Sequence, residues 1–176
     1  KESVASDPLG RAAGVQEEID FLLEREDLGA TLQKMREENL LPLRVTHNDT
    51  KLNNVLLDRI TRKSLCVLDL DTVMPGLSLY DFGDSIRFGA ATAAEDEKDT
   101  SLVTMRMEYF EALAKGYCEA ATFLPPLEKE LLPFSGKLLT AFFQVIQKSF
   151  HVRPLGVLIK ERGRRFVAAF SVKGII

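Results

Sequence analysis

Apolar residues recur at helical spacing in three stretches of this chain and gather into short runs between them. From residue 14 to about residue 39 the sequence is rich in Glu, Leu, Arg and Gln, and Val15, Ile19, Leu22 and Leu23 mark one apolar face. That pattern predicts one or two amphipathic helices, broken or kinked at Gly29. Beyond Pro42 the period changes. Residues 43–46 and 54–57 read as short strands flanking a polar loop, and residues 65–68 read as a buried strand reached through the charged connector 58–64. Strand, connector and strand in this order predict a hairpin that brings the loop before it close to Asp69. Pro75 and Gly76 then mark a turn. Asp81 is placed to cap a helix running through Ile86 and Phe88, and to anchor a loop.

The second half is helical in pattern. One helix is expected from about residue 101 to residue 121, and another after Pro125 and Pro126, through Leu131 and Leu132 to Phe150. Leu102, Met105, Tyr109, Leu113, Leu138, Phe142, Val145 and Ile146 are spaced to build their shared core. Residues 91–99 read as an exposed connection. The expected fold class is α+β and mostly helical.

Composition narrows the class without naming a function. Hydrophobic residues at 45% and charged residues at 28% are ordinary for a globular protein. The 26 acidic and 23 basic side chains give a net charge of -3, so nothing global points to nucleic acid. Cys66 and Cys118 supply neither a disulfide framework nor metal-ligand spacing, which favours a reducing cytoplasm. The first ten residues lack the apolar stretch of a secretory signal and an initiator methionine, so the chain is expected to begin within a longer protein. No apolar run approaches the roughly 20 residues that span a bilayer, and no membrane partner is expected. The tail from His151 carries Arg153, Lys160, Arg162, Arg164, Arg165 and Lys173 against the single acid Glu161, but without aromatic interleaving.

The chemistry concentrates in the polar loop. Asp49 is followed five residues later by Asn54, and Asp69 ends the next apolar run fifteen residues beyond that. Phosphoryl transfer to an alcohol needs a carboxylate beside the attacking hydroxyl and cations that neutralise the triphosphate. Asp49 suits the first task. With a carboxyl pKa of about 4 it is ionised at neutral pH and accepts the hydroxyl proton late. The Asn54 carbonyl oxygen and the Asp69 carboxylate suit Mg2+, a hard ion that takes few protein ligands. Lys51 is placed to reach the migrating phosphoryl group, and His47 to hold Asp49 by bonding to the loop backbone. Asp71 reaches a second metal only if the strand bends. Asp81-Phe82-Gly83 spells the metal-binding triplet of protein kinases, yet it opens a helix well downstream of Asn54, so Asp69 is the better metal ligand.

These residues resemble the aminoglycoside phosphotransferase and choline kinase superfamily, whose catalytic loop is similar to His47-Asn48-Asp49 through Asn54. The longer wording THNDTKLNNVLLD, then VLDLDTVMPGLSLYDFGDSIRFGA, is similar to bacterial N-acetylhexosamine 1-kinases. The resemblance runs from about Asp7 to Leu139 and is most specific between Arg44 and Phe88. It implies that residues 1–150 form the C-terminal lobe of a protein-kinase-like fold, with a short catalytic hairpin and a divergent tail over 151–176. By the same resemblance Asp49 is the base, Asn54 and Asp69 carry Mg2+, ATP is the co-substrate, and the acceptor is the anomeric hydroxyl of an amino sugar. The same loops serve choline, homoserine and aminoglycoside acceptors. The stretch before His47 is short and helical and no Gly-x-Gly occurs, so the nucleotide-covering N-terminal lobe is expected to be absent from this chain. A non-catalytic remnant that binds nucleotide or a partner is the rival expectation.

Overall fold

Leu79, Phe82, Ile86 and Ala90 recur at intervals of three and four, and all four side chains are buried on one face at or beside the helix Ser78–Gly89. The rest of the structure is assembled around that helix. The computed structural model describes residues 2–8, 10, 12–94, 102 and 104–149; the tail over 151–176 lies outside them. Helices α1 (Glu2–Ser6), α2 (Gln16–Leu23) and α3 (Glu26–Glu37) come first. Strands β1 (Arg44–Thr46), β2 (Val55–Leu57), β3 (Ser64–Val67) and β4 (Met74–Gly76) follow. Then come α4 (Ser78–Gly89), α5 (Met107–Ala120), α6 (Pro126–Glu130) and α7 (Leu132–Ser149). The described architecture is mostly helical with small antiparallel sheets, which is compatible with the expected α+β lobe.

The core joins Leu32 of α3, Leu41 and Leu77 from the segments beside the sheets, Phe110 of α5, and Leu132 and Leu138 of α7 to the buried face of α4. Phe82 meets Phe110 edge-on, with ring centroids 6.2 Å apart. Fully burying a side chain of this size contributes about 2–3 kcal/mol. α4 lies close against α7 because position 83 is glycine: a Cβ there would stand 2.5 Å from the Ser135 carbonyl oxygen.

Several expected boundaries move. The break in the first helical stretch falls at Glu24 and Arg25, and Gly29 sits inside α3. The Arg25 guanidinium donates to the Phe21 carbonyl at 2.8 Å and lies over the Phe21 ring, closing α2 before Gly29 is reached. Pro75 and Gly76 belong to β4, which pairs antiparallel with β1 in the register Arg44↔Gly76, Val45↔Pro75 and Thr46↔Met74. A proline is accommodated there because this strand has a neighbour on one side only.

The predicted hairpin is β2 with β3, and it is antiparallel. Its second strand is exposed along its length, not buried, because among the described residues no layer covers that small sheet. α4 begins at Ser78, with Leu77 at its cap position and no side-chain cap, so Asp81 lies one turn inside.

The second half also departs from the pattern. α5 starts at Met107, because Ala91 bridges Met105 and the Arg106 amide donates to the Ala90 carbonyl at 2.9 Å, holding that stretch extended. Leu102 and Tyr109 are therefore exposed, whereas Met105 and Leu113 pack on the core. The last pattern divides into α6 and α7 at Leu131, since Pro133 has no amide to continue α6 and fits the first turn of a new helix. Leu138 is buried as expected; the side chains of Phe142, Val145 and Ile146 and the connection 95–99 lie outside the described residues.

Candidate active site

The two sheets deliver two loops to one place. The Leu68 amide donates to the Asn54 carbonyl at 2.8 Å, so the end of β3 runs beside the end of the polar loop. His47 crosses between them: its Nε2 lies 2.9 Å from the Leu68 carbonyl, and its Nδ1 accepts from the Asp49 amide at 3.3 Å. A ring nitrogen facing an amide proton must be the acceptor, so the proton sits on Nε2 and donates to Leu68. Thr72 Oγ1 donates to the His47 carbonyl at 2.6 Å, and Asn48 Nδ2 donates to the Thr72 carbonyl at 3.0 Å. Asn48 occupies the left-handed region, φ 63°, which asparagine tolerates better than most residues. The expected holding role of His47 toward Asp49 is thus visible as backbone bonds on both sides of its ring.

Asp49, Lys51 and Asn54 come together. Lys51 Nζ lies 2.9 Å from Asp49 Oδ2, and Asn54 Nδ2 donates at 2.9 Å both to that oxygen and to the Asp49 backbone carbonyl. The Asn54 side chain is buried, and an atom facing two acceptors must be the nitrogen, which leaves its Oδ1 as the oxygen for any cation. Burial pushes the Asp49 carboxyl up, but hydrogen bonds from Lys51 and Asn54, with the charge of Lys51 and the field of His47, outweigh it and hold the group below its ordinary value. Both members of the ion pair are part-exposed, so the pair contributes at most about 1 kcal/mol to stability. Its main effect is to fix where the carboxylate points.

Asp69 lies two residues past the end of β3 and is exposed, in the left-handed region at φ 61°. That conformation turns the chain into a 3-10 turn over Leu70–Thr72, so the strand does not continue to Asp71. Among the described residues no three His, Cys, Asp or Glu side chains cluster as a metal site. A cation here would rest on one amide oxygen and one carboxylate. That donor set fits Mg2+, whose remaining positions are filled by phosphate oxygens and water.

Helix α4 holds the loop from below through two carboxylates one turn apart. Asp81 Oδ2 accepts from the His47 amide at 2.9 Å and Oδ1 from the Asn48 amide at 2.8 Å. Both oxygens of the Asp-Phe-Gly triplet are therefore committed to the loop, which is the anchoring role expected for Asp81. The sequence reading missed the second carboxylate: Asp84 Oδ2 accepts from the Thr50 amide at 2.7 Å, and its Oδ1 pairs with Arg87 Nε at 2.9 Å. Its signal was an acid three residues after Asp81, on the same face of a helix whose other side is apolar. Thr72 and Asn48 were missed as well, because nothing local marks a threonine as the partner of a distant carbonyl.

A mostly helical lobe with small antiparallel sheets, presenting an aspartate, a nearby asparagine and a second aspartate on adjoining loop ends, is compatible with a phosphotransferase of kinase-like type. A family model described as Phosphotransferase enzyme family matches residues 6–128. That is more than half of the chain, and the chain belongs to this family, the aminoglycoside phosphotransferases of the protein-kinase-like superfamily. Phosphoryl transfer to small molecules is the activity the family carries, with ATP as donor and typically Mg2+.

Proposed function

We propose that this chain carries the acceptor-activating half of an ATP-dependent kinase acting on the anomeric hydroxyl of an N-acetylhexosamine. The observation that carries the chemistry is the Asp49 carboxylate, held on Oδ2 by Lys51 and Asn54 and kept anionic by them. Both bonds fall on Oδ2, so Oδ1 receives the acceptor hydroxyl, orients it, and takes its proton as the oxygen becomes a nucleophile. Lys51 stands two residues away, where its charge offsets that of an incoming phosphoryl group. Asn54 Oδ1 and Asp69 would hold Mg2+, which neutralises phosphate charge when bound. The wording of the loop and of residues 67–90 supports the amino sugar over choline, homoserine or an aminoglycoside. We place the enzyme in the cytoplasm, where ATP is abundant.

One observation favours a second reading, a non-catalytic lobe that binds nucleotide or a partner. Large apolar side chains of both sheets face solvent, with Val45 82% and Leu65 61% exposed, and such surfaces mark contacts with another protein unit. Phosphoryl transfer from Mg-ATP to N-acetylglucosamine, N-acetylgalactosamine, choline, homoserine and kanamycin separates the readings. The assay uses this chain and the longest gene product that contains it. Transfer to the N-acetylhexosamines with loss of turnover in Asp49→Ala supports the proposal; Mg-ATP binding without transfer to any acceptor supports the second reading.

A further inference from the structure

The Asp49 side chain projects from a loop of four residues whose backbone amides are all spoken for. Those of His47 and Asn48 go to Asp81, that of Asp49 goes to the His47 ring, and that of Thr50 goes to Asp84. The bonds flank Asp49 on both sides, so the position of its Cα is set by two carboxylates of one helix. Asp81 holds the N-terminal flank. The C-terminal flank rests on Asp84, aided by Thr50 Oγ1 donating to the Asp81 carbonyl at 2.6 Å and by Ser85 Oγ near the Thr50 carbonyl at 3.4 Å.

Asp84 is 4% exposed and Arg87 5%. An ion pair so deeply buried contributes little net stability compared with apolar residues of the same size, because desolvating both charges offsets their attraction. What the arrangement does supply is a fixed direction. Arg87 binds Oδ1 and leaves Oδ2 aimed at the Thr50 amide, at the short distance typical of a charged acceptor.

We propose that Asp84, oriented by Arg87, is a positioning residue for phosphoryl transfer: it clamps the Thr50 amide and thereby holds the Asp49 carboxylate in line with the acceptor hydroxyl. The proposal rests on the phosphotransfer reading above. Misplacement of a reacting group by an ångström costs about 100-fold in rate, and the clamp acts one residue from Asp49. It contacts neither donor nor acceptor, so its loss lowers kcat and leaves the KM for Mg-ATP unchanged.

The test removes the buried cation first, so that no charge is left unpaired. Two double variants are compared, Asp84→Ala with Arg87→Met and Asp84→Asn with Arg87→Met. Both lose the ion pair, but the asparagine oxygen still accepts from the Thr50 amide and the alanine does not. With Mg-ATP and N-acetylglucosamine or N-acetylgalactosamine, the alanine variant is expected to lose about 100-fold in kcat with an unchanged KM for Mg-ATP. The asparagine variant is expected to recover most of that loss. Equal kcat in the two variants overturns the clamp, since a purely structural role of the ion pair affects both alike.

Amide hydrogen exchange in the parent chain tests the Thr50 bond on which the clamp depends, independently of folding of the variants and of any turnover. Thr50 protected as strongly as the amides inside α4 supports the clamp, and Thr50 exchanging as fast as the exposed hairpin turn overturns it. A parent protein that transfers nothing to either sugar overturns the phosphotransfer reading instead, and the exchange result still stands on its own.

Discussion

Asn54 binds Asp49 twice through one nitrogen, donating at 2.9 Å to the Asp49 backbone carbonyl and at 2.9 Å to its Oδ2. The same side chain that offers an oxygen to a cation therefore fixes the neighbouring carboxylate in space. Asn54→Ala is expected to lower kcat at least 100-fold, because it frees Asp49 and removes a cation ligand together. Asn54→Asp keeps an oxygen ligand but sets a second anion against Asp49. In steady-state assays it should recover Mg2+ dependence without recovering kcat; full recovery would show that orientation of Asp49 by the amide is unimportant.

Asp69 stands two residues past the end of β3 in a left-handed conformation. Asp69→Asn keeps a residue that tolerates this backbone and removes the charge. The variant should melt with the parent and bind Mg-ATP about tenfold or more weakly, as read by calorimetry over a range of Mg2+ concentrations. Undiminished Mg-ATP affinity would remove Asp69 from the cation site.

The Asp49 carboxyl titrates below its ordinary value of 3.8, because bonds from Lys51 and Asn54 outweigh its burial. A folded pKa below the unfolded one means that the unfolded chain binds the proton more readily. The associated stability is present above the unfolded pKa and is lost as pH falls through the folded pKa. Carboxyl carbon shifts followed by NMR should place this midpoint below 3.8, and Lys51→Met should raise it. A midpoint unmoved by Lys51→Met would contradict the ion pair.

Gly83 has no room for a side chain, since a Cβ would lie 2.5 Å from the Ser135 oxygen and 2.9 Å from its carbonyl carbon. Backbone atoms inside a packed helix cannot step aside as a side-chain end can. Gly83→Ala should destabilise the fold by about 1–3 kcal/mol. Thermal unfolding measures this, and an unchanged Tm would mean that α4 and α7 are less tightly apposed than the structure has them.

Arg44 joins β1 to α6 by donating to Glu128 Oε1 at 2.7 Å, while Glu128 is fully buried and its Oε2 has no hydrogen-bond partner among the described residues. Arg44→Met leaves that carboxylate without its cation and should cost about 3–5 kcal/mol. Pairing it with Glu128→Leu should return much of the loss in chemical denaturation. Equal destabilisation by the single and double variants would show that packing of the arginine stem, not its charge, is what matters.

Much of the candidate site was legible in the sequence because its signals are local. Asp49, Lys51 and Asn54 lie within six residues of one another, and a loop that short between two strands leaves its side chains few places to go. The hairpin that carries Asp69 to them was legible for the same reason, since two apolar runs joined by a polar connector pair with each other. The limits of the helices were less legible. Arg25 rather than Gly29 closes α2, and Pro133 divides what looked like one helix, because each boundary depends on which backbone group finds a partner.

The sequence by itself determined the reaction class and the chemical parts: a carboxylate, a lysine, an amide and a second carboxylate at spacings set by one loop and one hairpin. Only the tertiary structure decided what holds them still. The pairing of β1 with β4 across 28 residues, the bond of Thr72 to His47, and the grip of Asp81 and Asp84 on three loop amides all join segments far apart in the chain. Such contacts form where α4, packed on α7 through Gly83, comes to rest beneath the loop. No periodicity along the chain records that position, because it is fixed by how the buried faces of several elements fit together.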